Sequence, residues 1–177
     1  MRVVAGTYGG RRLVAPAGSE TRPTSDRVRE ALFSVLGPAV QDTRVLDLFA
    51  GSGALGIEAL SRGAQSAVFV DRSRKAIQAV RANLEALGIE ADVRTIAARP
   101  ALRAASARRE AYDLVFLDPP YRHAAELGRE LSERLAAVLA PGARVVTESD
   151  RRAPLQLDLP LTDERRYGDT VIRIHEP

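Results

Sequence analysis

The glycine-rich segment Gly51-Ser52-Gly53-Ala54-Leu55-Gly56 stands between an apolar run, Val45–Phe49, and a helical pattern that reaches Arg62 and stops at Gly63. No other feature limits the fold as much, because a glycine turn between strand and helix is the opening step of a βαβ unit. The same alternation then repeats. Ala67–Val70 reads as a second buried strand closed by Asp71, and Arg74–Leu87 as an amphipathic helix ended by Gly88. Asp92–Ile96, Leu114–Leu117 and Arg144–Thr147 read as a third, fourth and fifth strand. A helix carrying Leu127, Leu131, Leu135 and Val138, stopped by Pro141-Gly142, precedes the fifth. Residues 97–111 fit either a short helix or a loop. The tail, 165–174, reads as a hairpin turning near Gly168-Asp169. Strands separated by helical crossovers predict an α/β fold with a doubly wound, mostly parallel sheet and a late antiparallel edge.

The first residues follow a different pattern. Residues 2–5 and 11–14 are short strand-like runs around Gly6-Thr7-Tyr8-Gly9-Gly10, which predicts a β-hairpin. Thr21–Asp26 supplies N-cap oxygens for a helix from Arg27 to Leu36, ended by Gly37-Pro38. The expected organisation is a basic hairpin over 1–20 joined to one domain over 21–177. A chain of 177 residues, 45% hydrophobic, supports one domain with a small appendage.

Charge separates the two parts further. Residues 1–36 hold six arginines against three acids, and 37–177 are neutral overall, so the whole net charge of +3 lies in the first fifth of the chain. A basic arm on a neutral body points to an anionic partner. The absence of cysteine excludes disulfides, cysteine-ligated metals and a thiol nucleophile, and two histidines make a structural metal site unexpected. No stretch approaches 18 consecutive apolar residues, and the N-terminus lacks the apolar core of a secretory signal. The expected compartment is the cytoplasm.

Two constellations carry chemistry. Gly51 and Gly53 lie in a GxGxxG turn, and Asp71 follows Gly51 by twenty residues at the next strand end. Glycine lets backbone approach a nucleotide, and an acid at that distance accepts hydrogen bonds from ribose hydroxyls. NAD, FAD and S-adenosylmethionine all fit, and a turn that only packs helix against strand needs the same glycines. Asp47, inside the first strand, favours a cationic ligand over a pyrophosphate, although it serves equally as a cap for backbone N–H groups. The second constellation is Asp118-Pro119-Pro120-Tyr121, at the carboxyl end of the fourth strand. Its prolines delete backbone donors and leave acceptors beside a carboxylate, which suits gripping an exocyclic amine. Tyr121 offers a face for base stacking.

With these motifs in view, VLDLFAGSGALGIEAL, FVDRSRKAIQAVRANL and DLVFLDPPY resemble the cofactor-binding and catalytic motifs of class I S-adenosylmethionine-dependent methyltransferases. RVVAGTYGGRRL together with TRPTSDRVREALFSVL is similar to the RsmD family of bacterial 16S rRNA guanine-N2 methyltransferases. The resemblance runs from residue 2 to the closing YGDTVIRIH. It implies a seven-stranded Rossmann-like sheet and methyl transfer from S-adenosylmethionine to the N2 amine of one guanine in 16S rRNA. The substrate would be the rRNA in an assembled or partly assembled 30S subunit, with no membrane and no metal involved. Asp47, Gly51, Gly53 and Asp71 would bind the cofactor. Asp118 and the Pro119 carbonyl would hold the amine, and Tyr121 would stack on the base. Arg2, Arg11, Arg12 and Arg22 of the basic arm would contact RNA. Ala97-Ala98 departs from the family, which usually places an acid there for the adenine amine. The rival reading is adenine-N6 methylation of DNA or RNA through the same Asp-Pro-Pro-Tyr turn.

Overall fold

In the computed structural model, residues 1–18, 25–119 and 124–177 are described, with the backbone alone at 124–126. The helices are α1 Asp26–Leu36, α2 Ala54–Ser61, α3 Arg74–Leu87, α4 Ala98–Ala107 and α5 Ala124–Leu135. The strands are β1 Arg44–Asp47, β2 Ser66–Asp71, β3 Asp92–Thr95, β4 Tyr112–Leu117, β5 Leu139–Asp150, β6 Leu161–Tyr167 and β7 Thr170–His175. They form one sheet in the order β3-β2-β1-β4-β5-β7-β6. The five strands from β3 to β5 run parallel, and β7 and β6 add antiparallel to β5. Chain progression reverses between β1 and β4, so the carboxyl ends of these two strands flank the crevice where open α/β sheets bind ligands.

Alternate residues of each strand enter opposite core layers, as the period of two requires. Val45, Phe69, Leu114, Phe116, Val146 and Ile172 pack with residues of α1, α2 and α3. Leu46, Val70, Val115, Leu117 and Val145 pack on the other face with residues of α4 and α5. Across the first layer, the Phe33 and Phe116 rings lie with centroids 5.8 Å apart. The helix ends follow local chemistry. Ser25 and Ser73 accept hydrogen bonds from Val28 N–H and Ala76 N–H at the starts of α1 and α3.

Three segments resolve or adjust the sequence-based expectation. Residues 98–107 form α4, whose buried stripe is Ala98, Ala101, Leu102 and Ala105. Of the helix and the loop that fit this stretch, the helix forms. The strand expected at 144–147 spans Leu139–Asp150, because its second half pairs with β7 as well as β4. The long helix before it ends at Leu135 and continues as a 3₁₀ turn, Ala136–Val138.

Residues 1–14 double back: Val3 N–H donates to the Arg11 carbonyl, Gly10 N–H to the Val3 carbonyl and Leu13 N–H to the Met1 carbonyl, at 2.9, 2.8 and 3.1 Å, around an antiparallel bridge between Arg2 and Arg12. The arm is also tied to α2. The N–H groups of Val4 and Ala5 donate to the buried carboxylate of Glu58, at 2.7 and 3.1 Å. Ser61 hydroxyl accepts from Tyr8 N–H at 3.0 Å, and Ser61 carbonyl accepts from Thr7 N–H at 2.8 Å. Val3 and Leu13 enter the core layer shared with α1, α2 and α3. Residues 1–14 therefore share the core of the body on which they sit.

Candidate active site

At the end of β1, Asp47 is 2% exposed and accepts a hydrogen bond from Gly56 N–H at 3.1 Å. The contact ties the strand to the first turn of α2. Burial pushes the Asp47 carboxyl up to about 7; the Gly56 hydrogen bond opposes this and the nearby Asp71 charge adds to it. Among the described residues Asp47 makes no ion pair. Of the two readings of this residue, the cap on helical backbone is the one seen here, and the carboxyl is buried.

The glycine turn is braced from β2. Asp71 accepts from Gly51 N–H at 3.0 Å through one oxygen and from Ser73 N–H at 2.8 Å through the other. Each oxygen keeps a further lone pair for a ribose hydroxyl. Gly53 caps the start of α2 with φ 80°, in the left-handed region that favours glycine. Gly56 serves packing: a Cβ there would stand 2.4 Å from the Phe69 ring. The third glycine of the motif is thus a close approach of helix to strand, and the first two shape the turn.

Asp118 and Pro119 follow β4 directly across the crevice. Asp118 keeps part of its surface exposed, while Pro119 is buried. The Asp118 carboxyl sits well above the usual carboxylate range, first because of burial and then because Glu148 and Asp47 lie close. Asp47 of the first constellation and Asp118 of the second thus lie close enough to feel each other's charge, at the carboxyl ends of β1 and β4. Pro120, Tyr121 and Arg22 lie outside the described residues.

Arg2, Arg11 and Arg12 are exposed. Arg2 stands 3.6 Å from Asp26, and among the described residues Arg11 and Arg12 make no ion pair. Beneath them Arg29 is fully buried and donates to Asp26 at 2.8 Å and to the Arg2 carbonyl.

Sequence reasoning passed over several residues that hold this site together. Asn83, on α3, donates to the carbonyls of Val14 and Ser52, at 3.0 and 2.9 Å, and accepts from Val14 N–H at 2.8 Å. One buried amide therefore joins the basic arm to the glycine turn. Glu58 accepts from Arg62 at 2.7 Å as well as from the arm. A lone acid in the apolar helix ALGIEALS was the available signal, because such a group is buried only when paired. Glu148, on β5, is also buried. Among the described residues no group of three or more acids and histidines could hold a metal ion, and no helix is long and apolar enough to cross a membrane.

The chain as a whole is similar to known proteins. The model of the family described as Conserved hypothetical protein 95 matches residues 1–176. YlbH of Bacillus subtilis (strain 168), provisionally assigned as an rRNA methyltransferase, is 42% identical over 99% of this chain and 98% of its own. Ribosomal RNA small subunit methyltransferase D of Escherichia coli (strain K12) is 40% identical over 69% of this chain and 61% of its own. The structure of yhhF from Escherichia coli, provisionally assigned as a methyltransferase, superposes with a TM-score of 0.84. It is 36% identical, over 99% of this chain and 97% of that one.

Proposed function

The chain belongs to the Conserved hypothetical protein 95 family, and from that membership we propose that it transfers a methyl group from S-adenosylmethionine to the exocyclic N2 of a guanine in 16S rRNA. The observation that carries the reading is the placement of Asp118 beside the buried Asp47 across the β1–β4 crevice. One carboxylate stands where a cofactor binds, the other where an acceptor must grip an amine.

The cofactor fits the residues present. Asp47 is a buried carboxyl with no cationic partner among the described residues, which suits a ligand bearing sulfonium and ammonium charges. Gly51 and Gly53 leave room for close approach, and Asp71, already oriented by two backbone N–H groups, faces the ribose. When bound, S-adenosylmethionine supplies a methyl group whose carbon–sulfur bond breaks as the bond to N2 forms.

The remaining work falls to the protein. The Asp118 carboxylate and the Pro119 carbonyl accept hydrogen bonds from the amine, which orients a nitrogen whose lone pair is otherwise delocalised into the base. Its raised proton affinity suits Asp118 to take the proton that N2 sheds. Tyr121 stacks on the base, which leaves the RNA stack to reach the crevice. Arg2, Arg11, Arg12 and Arg22 contact phosphates, with the rRNA presented in an assembled or partly assembled 30S subunit in the cytoplasm.

The test is transfer of labelled methyl from S-adenosylmethionine to unmodified 16S rRNA and to unmodified 30S particles, with the product nucleoside identified by mass spectrometry. N2-methylguanosine is expected. Only N6-methyladenosine, or no methylated nucleoside from either substrate, would overturn the proposal.

A further inference from the structure

Glu148 has no part in the roles above, yet it stands beside them. Thr147 of β5 pairs in register with Leu117 of β4. Glu148 and Asp118 are the next residues on two strands that lie about 4.8 Å apart. They also share a face. Glu148 is two residues beyond Val146 and Asp118 two beyond Phe116, and both of those apolar residues belong to the layer under α1, α2 and α3. On its other side Glu148 pairs with Ile172 of β7, a core residue. Glu148 is 5% exposed, and its charge raises the proton affinity of Asp118.

We infer that Glu148 is the residue that selects guanine, accepting a hydrogen bond from N1–H of the target base while Asp118 and the Pro119 carbonyl hold N2. The inference rests on the N2-methyltransferase reading and deepens it. Guanine presents two adjacent donors, N1–H and N2–H, and two acceptors on adjacent strands match that edge. Adenine presents a lone pair at N1, which faces the same carboxylate without a proton between them. A site built to hydrogen-bond one group rejects an analogue that lacks it far more strongly than an apolar pocket does.

The experiment uses the full chain, wild type and Glu148→Gln, on rRNA carrying guanine or 2-aminopurine at the position where mass spectrometry maps the methyl group. 2-Aminopurine keeps the N2 amine and has an unprotonated N1. Wild type is expected to favour guanine by about 100-fold or more in kcat/KM. In Glu148→Gln, guanine should fall by about 100-fold while 2-aminopurine falls less than about threefold or rises, since the glutamine amide can donate to a bare N1. Equal turnover of the two bases by wild type would overturn the inference however the variant folds. Equal proportional losses on both bases, in a variant that still binds S-adenosylmethionine, would also overturn it. If wild type forms no N2-methylguanosine, the parent reading fails and takes this one with it. If N2-methylguanosine forms without preference between the bases, only the role of Glu148 fails.

Discussion

The two sides of the crevice meet the same problem, a buried acid, in opposite ways. On the β1–β2 side Asp47 and Asp71 are answered by backbone: Gly56, Gly51 and Ser73 N–H groups all point at them. On the β4–β5 side Asp118 faces Glu148 and Asp47, further negative charges. Backbone donors make a cradle suited to a ligand with its own positive charge. Clustered acids suit a ligand that brings donors. The first arrangement suits holding a cofactor, the second gripping an amine.

The largest expected effect tests that division. Asp118→Ala should lower kcat by about a thousandfold or more, as removal of a key hydrogen-bonding group at a reacting centre does, while S-adenosylmethionine affinity stays within about threefold. Single-turnover kinetics and calorimetric titration on one preparation separate the two; a parallel loss of both would merge the sides. Next in size, Glu58→Ala should cost on the order of 3–5 kcal/mol in urea unfolding, because Arg62 and two arm N–H groups lose a buried partner. An unchanged midpoint would mean that the arm is held by other means.

A smaller effect sharpens the cofactor side. The Asp47 carboxyl, at about 7 in the folded protein and near 3.8 otherwise, holds more protons folded than unfolded between those values. Its contribution to the stability of the ligand-free protein is therefore fully present below about 3.8 and is lost as pH rises through about 7. Cation binding runs the other way. S-adenosylmethionine affinity should rise between pH 6 and 8, with proton release in calorimetry across buffers of different ionisation enthalpy. Asp47→Asn should flatten both trends and weaken binding by about tenfold, roughly the worth of one charge-assisted hydrogen bond. A wild-type affinity that is flat in pH would detach Asp47 from the cofactor. The smallest effect concerns the arm. Replacing Arg11 and Arg12 by glutamine should lower the slope of log affinity against log salt for rRNA by about one for each phosphate the arm no longer neutralises. Filter binding at several salt concentrations reads it, and an unaltered slope would remove these arginines from the interface.

Legibility in the sequence followed range. The glycine turn, Asp71 and Asp118-Pro119 are local patterns on recognisable strand ends, so their positions in the fold could be read directly. Asn83 and Glu58 could not, because their partners lie 69 and 54 residues away. The arm shows the same limit. Its strand-like runs and glycines pointed to the reversal that Val3, Gly10 and Leu13 N–H groups close, but not to the buried carboxylate of Glu58 that takes the N–H groups of Val4 and Ala5.

By itself the sequence determined the alternation of strand and helix, the placing of the glycine turn between β1 and α2, and the two acidic turns at strand ends. Periodicity and turn chemistry act between near neighbours, so they are written along the chain. The tertiary structure decided what those turns face. Strand order put β1 beside β4, and register put Glu148 beside Asp118. Burial then coupled Asp47, Asp118 and Glu148 through electrostatics that no spacing encodes. The glycine turn that constrained the fold from the start stands at the carboxyl end of β1, beside the point where strand order reverses.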